Sequence, residues 1–233
     1  MKLNKLYLPL FAAAILLSAC SKDDETVPEM VYPSDHGTFV DERDGNEYHW
    51  VRYGNLDWMA ENARYYIDND AYCVVYSPSA GEGSTDYSDH SLLPEYGCLY
   101  NMEGATQACP DGWRLPTDEE WQQLEQQFGM SASQANSYEW RGMVAQNMLK
   151  KSDDFSTLHL QLGGYYTKTW VYTSSRMREW SVCAYYWTST KDPSKENNLF
   201  FYRRLMWNKN EIYRQSTSGE DLMFSVRYVR EAK

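Results

Sequence analysis

Apolar and polar positions alternate differently in successive parts of this chain. Between Thr38 and Trp58 the β-prone residues come in short runs (Thr38–Val40, Tyr48–Tyr53, Leu56–Trp58), broken at Asp44-Gly45 and Gly54-Asn55. Such runs with such turn pairs predict antiparallel hairpins. Residues 64–95 are rich in Tyr, Ser, Gly and Asp, show no apolar period, and predict a long surface loop. In "LPTDEEW" Thr117 is placed to cap a helix, Glu120 to reach back to the Thr117 amide, and Pro116 with Trp121 to staple the entry. Trp121, Leu124 and Phe128 then share one helical face, and Trp113 and Trp121 are expected to be buried where the turn meets the helix. A second helix is expected over Tyr138–Lys151, carrying Met143, Val144, Ala145, Met148 and Leu149 and weakened by Gly142. After residue 155 the chain reads as strands and turns: "LQLGGYY", "TWVYT", "AYYWTST", "LFFYRRLMW", "EIYRQS" and "FSVRYV". Helices in the middle with antiparallel strands on both sides predict an α+β domain.

The amino terminus follows another rule. Lys2 and Lys5 precede an apolar run from Leu6 to Leu17 that is too short to span a bilayer, and "LSAC" follows. This reads as a signal peptide over residues 1–19. It resembles a bacterial lipobox, which implies cleavage before Cys20 and acylation of that cysteine. Several acyl chains would hold the protein firmly on a membrane without crossing it. Residues 20–36 are polar and acidic, with Pro28 and Pro33, and read as a flexible tether. Their opening "SKDDE" resembles the acidic patch that sends Bacteroidota lipoproteins to the outer face of the outer membrane. Residues 37–233 are left to form one domain.

The net charge of −11 argues against nucleic acid as a partner. Basic residues cluster only at Arg203, Arg204, Lys209 and Arg214, where they are interleaved with apolar and aromatic residues. With Cys20 taken by lipid, Cys73, Cys98, Cys109 and Cys183 remain, an even number that suggests disulfides in an exported chain. Three pairings are open, of which Cys73 with Cys98 and Cys109 with Cys183 is preferred. No pair has C-x2-C spacing, so metal binding by thiolates is disfavoured. No hydrolase motif is present, and His36, His49, His90 and His159 are scattered. Glu119 and Glu120 suit a helix first turn without catalysis.

Six ordered blocks, "GTFVDERDGNEYHWVRYGNLDWMAEN", "YGCLYNMEGA", "CPDGWRLPTDEEW", "LQLGGYY", "YYWTST" and "FSVRYV", resemble the Fibrobacter succinogenes major paralogous domain. The resemblance spans about residues 37–230. It implies a C-type-lectin-like fold, with short helices against antiparallel sheets and a long surface loop. The "GWRLPTDEEW" block is also similar to formylglycine-generating-enzyme-type domains. Members occur in exported and surface proteins of Bacteroidota and Fibrobacterota. Two departures stand out: members usually carry Cys at Tyr228, and Arg or a similar residue at Cys98. The usual partner of Cys109 is thus missing, which leaves Cys183.

Together these readings predict a surface-exposed outer-membrane lipoprotein with a non-catalytic module for glycan or protein ligands. The alternative is a structural or accessory part of a surface assembly or polysaccharide-uptake system. A formylglycine-generating enzyme ranks below both, because it needs a close thiol pair for copper. Tyr65, Tyr66, Tyr72, Tyr76 and Tyr87, in or beside the long loop, are the candidate ligand contacts, since exposed tyrosine offers rigid area with a polar tip. Glu196, Asn198, Asn208, Asn210 and Glu211 read first as polar hairpin turns and second as calcium ligands, the one cofactor the sequence suggests.

Overall fold

The computed structural model describes residues 28–77, 89–152, 156–168, 177–195 and 198–233. Its strands are β1 (His36–Val40), β2 (Glu47–Tyr53), β3 (Leu56–Met59), β4 (Cys73–Val75), β5 (Cys98–Tyr100), β6 (Glu139–Arg141), β7 (Tyr165–Thr167), β8 (Met177–Arg178), β9 (Cys183–Lys191), β10 (Leu199–Met206), β11 (Ile212–Ser218), β12 (Leu222–Met223) and β13 (Val229–Glu231). Its helices are α1 (Leu93–Tyr96), α2 (Met102–Gln107), α3 (Asp118–Gln127), α4 (Ala132–Asn136) and α5 (Ala145–Leu149). Signal residues 1–19 and Cys20 lie outside the described residues, as do the predicted strand "TWVYT" and the tip of the long loop, residues 78–88.

The early hairpins form as the turn pairs predict. β1 pairs with β2 from His36↔Val51 to Val40↔Glu47, and β2 pairs with β3 across the Gly54-Asn55 turn. β13 then returns from the other end of the chain to pair with β3, placing Val229 opposite Trp58. The first sheet is therefore β1-β2-β3-β13, and a second four-stranded sheet has the order β6-β11-β10-β9. Every ladder between these named strands is antiparallel. The result is a sheet-rich α+β body with short helices.

Helix α3 connects the two sheets. Thr117 Oγ1 accepts from the Glu120 amide (3.1 Å) and Glu120 Oε2 accepts from the Thr117 amide (2.7 Å), a complete capping box. The apolar face then seats Trp121, Leu124 and Phe128 in the core. Trp121 meets Trp58 of the first sheet edge-on (5.1 Å between ring centroids) and Tyr186 of the second (5.8 Å). Trp113 is buried in a neighbouring cluster with Tyr48, Tyr100, Trp187 and Phe224.

The structure departs from the sequence pattern in several places. The helix expected over Tyr138–Lys151 is shortened to α5. Glu139 and Gly142 both have positive φ (64° and 65°), and Trp140 and Arg141 leave the helical path to pair with β11. A Cβ on Gly142 would come within 2.3 Å of Met130 Cε, so this sharp bend needs glycine. At and just before "LQLGG", Leu158 and Leu160 fill the core without forming a strand, and Arg227 bonds the carbonyls of Leu158 and His159 (2.9 and 2.6 Å). The long loop contains β4 and α1. Residues 28–36, expected as free tether, lie on the body instead: Met30 and Val31 pack on the core, and Asn147 Nδ2 donates to the Pro28 carbonyl (2.8 Å). Among the described residues no helix is long and apolar enough to cross a membrane.

Candidate functional site

In β10, burial alternates so that Phe201, Arg203 and Leu205 face inward while Tyr202, Arg204 and Met206 are half-exposed. The chemistry of the two faces is the reverse of the usual arrangement, in which charge is outside. On the inner face Arg203 Nη1 donates to Asp118 Oδ1 (2.7 Å) and Nε to Glu125 Oε1 (2.5 Å). Arg214, opposite it on β11, donates to Asp118 through Nη2 (2.7 Å) and Nε (2.9 Å). Arg141 on β6 completes the group by donating to Glu125 Oε2 (2.7 Å). Burial works to raise the Asp118 carboxyl, but Arg214 and Arg203 outweigh it and hold it at about 2. For Arg141 burial dominates and lowers the guanidinium to about 10, with Glu125 opposing and the other arginines reinforcing. This buried cluster fixes α3 against three strands of the second sheet.

The outer face carries the candidate site. Strand register aligns Trp140, Tyr213, Arg204 and Tyr185 in one row across β6, β11, β10 and β9. The Trp140 and Tyr213 rings lie 5.1 Å apart, and the Arg204 guanidinium carbon is 5.5 Å from the Trp140 ring and 5.4 Å from that of Tyr185. Tyr202 stands beside the row, 6.3 Å from Tyr213 and 6.1 Å from Tyr185. Trp140, Tyr202, Arg204 and Tyr213 are all half-buried. The rings of Trp140, Tyr202 and Tyr213 thus keep part of their surface in solvent, while the buried Tyr185 supports the row from behind.

Glu179 fixes the charged end of the row. Its carboxylate accepts from Arg204 Nη2 (2.9 Å) and from Tyr185 Oη (2.7 Å). Burial and Glu179 together push the adjacent Cys183 thiol up to about 11, so it keeps its proton at neutral pH. At the other end of β10 the face continues through Phe200 into an open groove of about 840 Å³, bordered by Asn101, Glu103, Lys191, Asn198 and Glu220.

The residues singled out from the sequence are dispersed by comparison. Tyr65 is half-buried under the Arg43 guanidinium (4.1 Å) and Tyr66 is exposed against His90 (4.6 Å). Tyr72 offers its backbone carbonyl to Asn101, and Tyr76 stacks on Trp180 (4.5 Å, 9°). Tyr87 lies outside the described residues. The suggested calcium ligands are split: Asn198 precedes β10, whereas Asn208, Asn210 and Glu211 follow it, about 25 Å away along an eight-residue strand. Asn198 Oδ1 accepts from Lys191 Nζ (3.1 Å), and Glu196 lies outside the described residues. One ion cannot take ligands from both ends of β10. Among the described residues no group of His, Cys, Asp and Glu is arranged to hold a metal.

Cys73, Cys98, Cys109 and Cys183 are unbridged in this structure. Cys73 and Cys98 lie on the paired strands β4 and β5, and burial followed by hydrogen bonding with Cys73 raises the Cys98 thiol well above its ordinary range. Cys109 donates to the Trp113 carbonyl (3.1 Å), and burial raises it to about 12. Cys183 has Glu179 and Arg204 for neighbours. Tyr228 is buried in the cluster against which Cys109 packs, and its hydroxyl donates to the Ala105 carbonyl (2.5 Å).

The outer row was readable in part. Alternation in "FYRRLM" and "IYRQ" places Tyr202 with Arg204 and Tyr213 with Gln215 on common faces; the missing signal was that the other arginines point inward.

Comparison with curated proteins and with solved structures gives no match. A family model does match, that of the Fibrobacter succinogenes major domain, over residues 51–230, which include α3, the inner arginine cluster and the whole outer row. The chain belongs to the Fibrobacter succinogenes major domain family.

Proposed function

We propose that this chain is a non-catalytic glycan-binding module, carried on the cell surface as an outer-membrane lipoprotein acylated at Cys20. The observation that supports this reading is the row Trp140, Tyr213, Arg204 and Tyr185, widened by Tyr202. The C–H face of a sugar ring stacks on indole and phenol rings, while guanidinium and phenol groups at the rim bond its hydroxyls. Half-buried rings suit this role because their geometry is set before the ligand arrives, which lowers the entropy cost of binding. The groove beyond Phe200 gives a long glycan room to continue. The non-catalytic reading draws on the different surroundings of Cys109, which bonds the Trp113 carbonyl, and Cys183, which lies beside Glu179 and Arg204, because copper needs two thiols side by side. The α+β layout is compatible with a C-type-lectin-like fold, but the separated asparagines favour binding without calcium.

A glycan array probed with the mature protein, with and without EDTA, tests the proposal. Retention of sugars in both conditions, with loss in Trp140→Ala and Tyr213→Ala, is the expected result. A protein that retains no glycan but co-purifies with neighbouring outer-membrane proteins belongs instead to a surface assembly.

A further inference from the structure

The turn between β10 and β11 adjoins the aromatic row, with Lys209 Nζ 5.0 Å from the Trp140 ring, and carries a further exposed feature. Trp207 there is 59% exposed, the largest apolar side chain among the described residues with more than half of its surface open. Exposed Val182 lies beside it, its carbonyl accepting from the Trp207 amide (3.0 Å), and Lys209 follows two residues later. The turn is held firmly from below. Gln146 Nε2 donates to the carbonyls of Trp207 (3.1 Å) and Lys209 (2.7 Å), and the Ala145 amide donates to that of Asn210 (2.7 Å).

The next residue of the same helix sets the entry of the chain. Asn147 Nδ2 donates to the carbonyls of Pro28 (2.8 Å) and Glu29 (3.2 Å). Adjacent side chains of α5 therefore hold the exposed tryptophan turn and the point where the body meets the segment leading back to Cys20. From Cys20 to Pro28 the chain can extend about 28 Å at most. A domain of this length is about 40 Å across. An acylated Cys20 then cannot let the body turn its far side to the membrane.

We propose that the Trp207 turn rests on the bilayer in which Cys20 is anchored, with Trp207 and Val182 at the headgroup–acyl boundary and Lys209 towards the phosphates. Indole is suited to that boundary because one end is apolar and the other donates a hydrogen bond, and lysine reaches outward from it. The inference rests on the lipoprotein reading, and it orients the module: α5 and the β10–β11 turn face the membrane, leaving the groove end of β10 pointing away from it.

The test uses the full acylated protein in phosphatidylethanolamine–phosphatidylglycerol vesicles with and without dibrominated acyl chains, which quench nearby indoles. Brominated vesicles are expected to remove about one ninth of the emission, one tryptophan of nine, and Trp207→Ser is expected to abolish that loss while the protein still floats with the vesicles. Flotation without quenching, or quenching that survives Trp207→Ser, overturns the docking and leaves the anchor intact. Protein that bears no acyl chain on Cys20 by mass and does not float overturns the anchor, and the docking with it. Sedimentation of the non-acylated chain is expected to give a monomer; a dimer that Trp207→Ser dissolves assigns the patch to a second copy and overturns the proposal.

Discussion

Arg203 and Arg214 stand opposite each other on β10 and β11 and share the carboxylate of Asp118, the first residue of α3. The helix is thereby tied to the sheet by charge as well as by its tryptophan. Burying such a group is expensive, and its removal in part is worse than its absence, because a lone buried charge keeps its desolvation cost.

Asp118→Asn is expected to destabilise the protein by about 3–5 kcal/mol, since it leaves two buried guanidiniums short of a counter-charge. Urea unfolding of the soluble mature domain measures this. A loss below about 1 kcal/mol would mean that water reaches the cluster.

The same carboxylate sets an acid limit. Its folded value of about 2 lies below the ordinary 3.8, so its stabilisation is fully present above roughly pH 4 and disappears as pH falls towards 2. The contribution is about 2 kcal/mol. Wild type is expected to lose stability across that window more steeply than Asp118→Asn, as read by chemical denaturation at successive pH values.

Thr117→Ala removes one half of the capping box and is expected to cost about 1 kcal/mol. Glu120→Ala is expected to cost more, because Glu120 also receives Arg114 (2.6 and 2.8 Å). Equal melting temperatures for the two variants would show that the Arg114 pair adds nothing.

In the exported lipoprotein proposed above, Cys73 and Cys98 are expected to form a disulfide. Both are buried, and the raised Cys98 thiol makes uncatalysed exchange slow, so a thiol oxidase of the export compartment is the expected oxidant. The bridge would close the long loop and contribute about 3 kcal/mol. Alkylation of denatured, unreduced protein decides the matter: modification at both cysteines sinks the idea.

Glu179→Gln is expected to weaken glycan binding about tenfold, or ~1.4 kcal/mol, by freeing Arg204 and Tyr185 while leaving the rings in place. Titration of a retained glycan against wild type and variant gives the comparison. Unchanged affinity would remove Arg204 from the site.

Much of this architecture is written locally. The "LPTDEEW" signature specifies its own cap, and Asp44-Gly45 and Gly54-Asn55 specify their hairpins, because each depends on residues a few positions apart. Tyr138–Lys151 misleads because the decisive partner is remote: β11 draws Trp140 and Arg141 into a ladder, and glycine at 142 permits the bend. The outer row is hidden for the same reason, since Trp140, Tyr213, Arg204 and Tyr185 become neighbours only through strand order. The tyrosines of the long loop looked equivalent in sequence, yet one stacks on Trp180, one lies under Arg43 and one faces His90.

The inward arginines give the second sheet a division of labour. With the strands of β6, β11 and β10 pinned from the inside to one helix, their solvent-side residues are relieved of holding the scaffold together. On the proposed binding role, a change of Trp140 or Tyr213, which belong to neither core cluster, would then alter what the surface recognises without altering whether the chain folds, which makes this sheet a natural place for one body plan to acquire many tastes.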